Sequence, residues 1–409
     1  MGKCGTIALD IKTYFAGCNQ PTHPNVIAFD SPWHGYRYYM AYTPYPNGSG
    51  FEENPCVAAS DDLIHWETPS GLRNPIATSE ELECDELKDS HLLYRADLDR
   101  LEMWYLGRIK GTLADGTPLR CLRKVSADGR SWSDHEVVYT FEAFNLVSQS
   151  VIYDGEYLFW GIRHTPEDTG LYFMRSKDGI RWSDLEKCEV PDAAMTDMWH
   201  GTVIHTENRY HFVWVGYSGL HRNRIYYAGS ADGRRFSEPA VIVDNDAGWD
   251  YLYRPCLLKA QNRWYCYYGA NRIDGKWLIS MSKGESLEHM KGITEEELGP
   301  IGQDVRALTA WNRKLRMDRW IADAAGLAAP RLLLLLLPCL TALRFLGCSA
   351  LTLWFAAILS SAVCSRILIE PKRMLRRGLV MGTISACVSE FLFGILTQLL
   401  QIVVNLFVL

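Results

Sequence analysis

The sequence predicts an all-β five-bladed propeller followed by an α-helical transmembrane region. Three observations carry that expectation. A short turn phrase recurs in phase with the strands around it, polar residues occupy one equivalent position in every repeat, and the composition changes abruptly near residue 300.

The turn phrase reads Ser60-Asp61-Asp62-Leu63-Ile64-His65-Trp66, then Ser126-Ala127-Asp128-Gly129-Arg130-Ser131-Trp132. It returns as Ser176-Lys177-Asp178-Gly179-Ile180-Arg181-Trp182 and Ser230-Ala231-Asp232-Gly233-Arg234-Arg235-Phe236, with a decayed fifth copy at Ser282-Lys283-Gly284. Asp-Gly makes a tight turn because glycine accepts a positive φ and aspartate bonds its own backbone. The aromatic residue that follows packs the turn onto the sheet.

Each copy is preceded by a strand ending at its serine, such as Ile225-Tyr226-Tyr227-Ala228-Gly229. Before that comes an aromatic strand, for example Met103-Trp104-Tyr105-Leu106 or Trp264-Tyr265-Cys266-Tyr267-Tyr268. Earlier still stands an apolar pair: Val26-Ile27, Leu92-Leu93, Val151-Ile152, Val203-Ile204 and Leu257-Leu258. Short strands repeating about every 50–65 residues indicate four-stranded blades around an axis. A β-sandwich would not generate five copies in phase.

Residues 1–300 carry 30 Lys and Arg against 43 Asp and Glu, whereas residues 301–409 carry 12 against 5. An acidic propeller lacks the basic face that nucleic acid requires. Its Trp and Tyr content suits both a β-core and the flat faces of sugars. The twelve cysteines show no zinc-type spacing. No apolar stretch follows Met1, so no cleavable signal peptide is expected; the start does fit a myristoylation pattern at Gly2.

In a propeller the first strand of each blade lines the central channel. Three residues before each apolar pair stand His23, Asp89, Ser148, His200 and Arg254. One residue before it stand Asn25, His91, Ser150, Thr202 and Cys256. The period of two along a strand predicts that both sets face the same way, forming a polar pocket. A water-filled channel with polar walls is the alternative.

The layout over residues 20–295 resembles the five-bladed propellers of glycoside hydrolase families 43 and 32. The stretch His34 to Pro46, the Glu53-Asn54-Pro55-Cys56-Val57-Ala58-Ala59-Ser60-Asp61-Asp62 segment, Trp199-His200-Gly201-Thr202-Val203-Ile204 and Tyr253-Arg254-Pro255 carry the likeness. The resemblance implies three carboxylates: a base in blade one, a pKa-tuning Asp in blade three and an acid in blade four. At those positions this chain has His23-Pro24-Asn25, Ser148-Gln149-Ser150 and Trp199-His200, none of them acidic. Glycoside hydrolysis needs two carboxyl groups. That leaves Asp89 as base or nucleophile and Asp197 as acid, assisted by His200, with Glu52, Glu53 and Asp250 as further sources. His23, Asn25, His91, Ser148, Ser150, Trp199, Tyr253 and Arg254 are the expected substrate contacts. The Arg254 fork would hold a carboxylate or phosphate on the sugar. His23, Asp89, His91 and His200 are plausible metal ligands converging from three blades. Lone channel histidines more often hydrogen-bond, so no metal or other cofactor is expected.

Residues 345–365 contain no charge, enough to cross a ~30 Å hydrocarbon core. Residues 378–409 are again apolar apart from Glu390, Gln398, Gln401 and Asn405, and 332–343 form a further apolar run. The expected organisation is a propeller over 1–300, a basic amphipathic linker over 301–326, and two or three spans over 327–409. The basic loop 366–377 and basic segment 305–321 favour a propeller on the cytoplasmic face. The expected function is that of a membrane-anchored, glycoside-hydrolase-like protein acting on or binding a saccharide or glycolipid headgroup. The alternative is a non-catalytic glycan-binding or envelope-assembly scaffold.

Overall fold

A computed structural model describes residues 4–299, apart from 16–17, 111–117, 142–145, 166–167, 192–197, 217–222 and 273. The expected linker and membrane spans lie outside the described residues. Among the described residues, no helix is long and apolar enough to cross a membrane.

The chain forms five antiparallel sheets, each strand pairing with the next in sequence. Blade one holds β1 (Pro21–Trp33), β2 (Tyr36–Pro44) and β3 (Cys56–Ser60); blade two holds β4 (Cys84–Arg95), β5 (Arg100–Ile109), β6 (Leu119–Ser126) and β7 (Glu136–Phe141). Blade three holds β8 (Leu146–Tyr153), β9 (Tyr157–His164), β10 (Thr169–Ser176) and β11 (Glu186–Lys187). Blade four holds β12 (Met198–Thr206), β13 (Arg209–Gly216), β14 (Arg224–Ser230) and β15 (Ala240–Val243). Blade five holds β16 (Tyr251–Ala260), β17 (Arg263–Asn271), β18 (Trp277–Gly284) and β19 (Lys291–Gly292). Blade one departs from the four-stranded expectation: an Ala59–Glu67 bridge stands where its outer strand would be.

The repeated phrase acts at the seams between blades. In each full copy the serine Oγ accepts two backbone N–H groups and the aspartate Oδ1 accepts two more, as in Ser230 and Asp232. The turn then rests on the preceding blade. Gly233 offers its carbonyl to Trp160 Nε1 at 2.7 Å, and Gly129 packs against Trp33 and Tyr39. In blade one Leu63 takes the glycine position with a left-handed φ of 71°, and its carbonyl accepts the Tyr267 hydroxyl of blade five at 2.8 Å. Leucine bears that strain while filling the seam with a buried side chain.

The hydrophobic core lies in layers between blades. Trp104, Trp160 and Trp214, from the second strands of three blades, are fully buried in it. The ring closes non-locally. Leu9 N–H bonds the Ile279 carbonyl at 2.8 Å and Ser280 Oγ bonds the Ile7 carbonyl at 2.6 Å, so the N-terminal segment completes the sheet of blade five. Trp249 Nε1 ties Gly5 down at 2.6 Å.

Candidate functional site

Every channel-lining strand carries a β-bulge at its inner end. Register shifts fall between Thr22 and Asn25, Lys88 and His91, Val147 and Ser150, Met198 and Gly201, and Tyr253 and Cys256. A bulge adds one residue on one strand and re-aims the side chains beside it. His23, Asp89, Ser148 and Arg254 all sit there with positive φ of 53°, 58°, 56° and 30°. None is glycine or asparagine, so each conformation is held by its surroundings.

The bulge separates the two polar sets that simple alternation would place together. The second set forms an inter-blade girdle. Asn25 Oδ1 accepts Leu92 N–H at 2.7 Å, His91 Nε2 accepts Val151 N–H at 3.1 Å, and Ser150 Oγ accepts Val203 N–H at 3.0 Å. Thr202 Oγ1 donates to the Pro255 carbonyl at 2.8 Å, and Cys256 Sγ lies 3.4 Å from Val26 N. Each residue thus reaches the next blade, returning to the first. Burial, with Arg254 nearby, lowers the His91 pKa to about 3, in keeping with a neutral ring accepting an N–H. Asn25, His91 and Ser150 therefore spend their side chains on the ring of blades, not on the channel contents.

The first set converges. Asp89 Oδ2 accepts Ser148 N–H at 2.9 Å, while Oδ1 lies 3.5 Å from both His200 Nδ1 and Arg254 Nε. His200 Nδ1 meets Ser148 Oγ at 2.6 Å and its Nε2 meets the Tyr253 hydroxyl at 2.7 Å. His23 Nδ1 lies 2.8 Å from Thr43 Oγ1 and 3.4 Å from Glu53 Oε2. His23 Nε2 and Asp89 Oδ1 are buried without a hydrogen-bond partner. One ligand-type atom each from His23, Asp89 and His200 lies within 4.8 Å of the other two. Buried polar atoms are normally satisfied, so the unpartnered His23 Nε2, beside an Asp89 Oδ1 that has only long ion-pair contacts, points to something that binds at this cluster.

The electrostatics fit that reading. Burial pushes the His23 and His200 imidazoles below the usual histidine value, against the pull of Asp89. Burial would raise Asp89, but His200 and Arg254 outweigh it and hold the carboxyl well below the carboxylate range. Burial, with Asp89 and Glu86, drives Glu53 well above that range.

Arg254 does not have the role expected of it. It is fully buried, and its guanidinium donates to the Ser90 carbonyl at 2.9 Å and the Asp89 carbonyl at 3.3 Å. With its fork on the backbone, it braces the Asp89 bulge instead of holding an anion on a sugar. Asp89 is fully buried too, its carboxyl set against Ser148 N–H, His200 and Arg254. Trp199 packs edge-on to His200, with ring centroids 5.1 Å apart. The expected acid, Asp197, lies outside the described residues. Glu53, only a further candidate in the sequence, is the carboxyl that stands against His23. Tyr45 and Trp277 were missed: Tyr45 lies 6.0 Å from His23 and 5.2 Å from Trp277, which lies 5.1 Å from Tyr253. They join the site through loops and a strand start, where no channel-strand pattern would flag them.

No family model matches the chain. It is 23% identical over 375 residues to the A type blood N-acetyl-α-D-galactosamine deacetylase of Flavonifractor plautii, covering 77% of this chain and 47% of that protein. The chain thus spans about half the length of the curated relative it matches. Among solved structures it is similar to an N-acetylgalactosamine deacetylase from F. plautii in complex with blood group B trisaccharide, with a TM-score of 0.60, 18% identity, and coverage of 74% of this chain and 99% of that one. A thermostable family-43 glycoside hydrolase aligns with a TM-score of 0.52 and 13% identity over 71% of this chain and 98% of its own. The five-bladed fold is shared with carbohydrate-acting propeller proteins of both kinds.

Proposed function

We propose that the channel site removes the acetyl group from an N-acetylated amino sugar, using a divalent cation held by His23, Asp89 and His200. The observation that carries this reading is the convergence of those three side chains, with His23 Nε2 unpartnered. It departs from the expectation of no metal. Two imidazoles and a carboxylate suit a first-row transition metal or zinc. The deacetylase relative supports the substrate class. The paired carboxylates of glycosidic cleavage, by contrast, are missing where the glycosidase resemblance would place them: His23-Pro24-Asn25 stands at the base position and Trp199-His200 at the acid position.

A cation in this position supplies Lewis acidity toward water and the amide oxygen. The protein residues set up the remainder. Asp89 brings the negative charge, with Arg254 and Ser148 N–H fixing its carboxyl. The Tyr253 hydroxyl fixes the His200 ring through Nε2, so Nδ1 would turn from Ser148 Oγ to the cation, and Thr43 fixes His23 through Nδ1, as outer partners of ligating histidines do. Glu53 is the proton carrier: it takes a proton as water adds to the amide carbon and returns it to the departing sugar amine. The products are acetate and the free amino sugar. A positive charge beside Glu53 favours its carboxylate form, countering burial.

The same reading places the propeller at a membrane, held by the apolar stretches 345–365 and 378–409 with the propeller on the cytoplasmic face, where a glycolipid headgroup is an accessible substrate. The test uses the full chain in detergent, stripped by chelation and reloaded with Zn²⁺ or Mn²⁺, on oligosaccharides and glycolipids ending in acetamido sugars. Metal-dependent acetate release, lost in His23→Ala, is the expected result. Release of reducing sugar without acetate would replace deacetylation with glycosidic cleavage. Binding without either product would leave a glycan-binding module.

A further inference from the structure

We propose that Tyr45, Trp277 and Tyr253 form an aromatic platform across the seam of blades one and five, on which the apolar face of the sugar ring rests. This builds on the acetamido-sugar reading and specifies how such a substrate is held. The three rings run in a chain, Tyr45 to Trp277 at 5.2 Å and Trp277 to Tyr253 at 5.1 Å. Tyr253 continues to His200 at 4.3 Å and to His23 at 5.1 Å. The wall is therefore continuous with the proposed ligands.

The platform rings are only half-buried, whereas Trp104, Trp160, Trp214 and Trp249 are sealed in the core. Partly exposed aromatic rings beside a polar site suit a pyranose, whose C–H face carries partial positive charge toward the negative face of an aromatic ring. Tyr253 serves twice: its ring belongs to the wall and its hydroxyl holds His200 Nε2.

A buried side chain from outside the site holds the wall together. Gln20 Oε1 accepts the N–H groups of Trp277 at 3.0 Å and Asn47 at 3.2 Å, and its Nε2 donates to Asn47 Oδ1 at 3.1 Å. The Gln20 carbonyl accepts Tyr45 N–H at 2.8 Å. One residue thus pins the blade-one loop and the first strand position after the blade-five loop in a single register. Gly48, with a left-handed φ of 80°, passes the Trp277 edge so that an added Cβ would sit 3.8 Å from its Nε1.

The experiment uses the full chain in detergent and the methyl α-glycoside of N-acetylgalactosamine as probe. It measures Kd by calorimetry, and kcat and KM by acetate release. Trp277→Ala is expected to raise Kd and KM roughly tenfold, the equivalent of ~1.4 kcal/mol, with kcat within about twofold of wild type. Trp277→Phe should restore most of the affinity. Unchanged Kd and KM in a folded Trp277→Ala protein would overturn the platform while leaving deacetylation standing. If that variant does not fold, saturation-transfer NMR on the unaltered protein decides. Transfer from aromatic protons concentrated on one sugar face supports the platform, and uniform or absent transfer overturns it. Wild-type protein that neither binds the probe nor releases acetate ends both the acetamido-sugar reading and the platform.

Discussion

The Tyr253 hydroxyl and the His200 Nε2 atom lie 2.7 Å apart, joining blade five to blade four at the channel. Tyr253→Phe keeps the ring and deletes only this bond. Loss of an outer partner to a ligating histidine typically costs about 10–100-fold in metal affinity or activity. We expect Zn²⁺ or Mn²⁺ affinity to fall within that range while KM for the sugar stays near wild type, read by calorimetry and steady-state kinetics.

Asp89 and Arg254 are both fully buried and lie within 3.5 Å of each other. Asp89→Asn leaves the guanidinium charge without its carboxylate, and breaking such a buried pair costs about 3–5 kcal/mol. Denaturant unfolding of the metal-free protein should show that loss. The double variant Asp89→Asn, Arg254→Met should recover part of it, without recovering activity.

If the proposed cation is held by His23, Asp89 and His200, removing it should loosen the site without unfolding the propeller. Binding to the folded state alone stabilises by about 2.7 kcal/mol at a hundredfold excess over Kd. For a domain of this size that corresponds to a rise in Tm of several degrees. The rise should vanish in His23→Ala. An equal rise in that variant would place the ion elsewhere.

The four aspartates of the repeated turn, Asp62, Asp128, Asp178 and Asp232, titrate below the usual value of 3.8. In Asp232 the main cause is the backbone N–H of Arg235, and the pKa falls to about 2. A carboxyl depressed in the folded state contributes stability above its unfolded pKa and loses it as pH falls through the folded value. Thermal midpoints should therefore decline as pH drops from about 4 to about 2. Replacing all four by Asn should flatten that decline.

Gly233 has a φ of 72°, and an added Cβ would lie 2.8 Å from the Trp160 ring. Left-handed backbone alone costs a non-glycine residue roughly 1–2 kcal/mol, so Gly233→Ala should destabilise by about 2 kcal/mol or more in chemical unfolding. Leu63→Gly should also destabilise, through the buried side chain it removes. Equivalent turn positions thus fail for opposite reasons.

The propeller was legible because its signal is local and repeated. Ser60, Ser126, Ser176 and Ser230 with their aspartates form the same hydrogen-bonded turn within a few residues, so four full phrases and a decayed fifth at Ser282 suffice to count blades. The converging set was legible for the same reason, since His23, Asp89, Ser148, His200 and Arg254 stand at one offset from an apolar pair. What those residues do was less visible. The bulges break the alternation that would have put Asn25 beside His23, and no glycine marks them. Arg254 reads as a ligand-binding arginine until its carbonyl partners, about 165 residues away, are in place. Glu53, Tyr45 and Trp277 reach the site through loops and strand ends, which carry no period.

The closure of blade five by residues 4–9 also sets an order in time. During synthesis Leu9 emerges some 270 residues before Ile279, its backbone partner. At about 5–20 residues per second that gap lasts on the order of tens of seconds. Through that interval Ile7, Leu9 and Ile11 have no sheet to cover them, and blade one has no neighbour on its blade-five side. Residues 4–9 are therefore among the last to dock, and the ring of blades stays open at the seam of blades one and five until the final blade arrives.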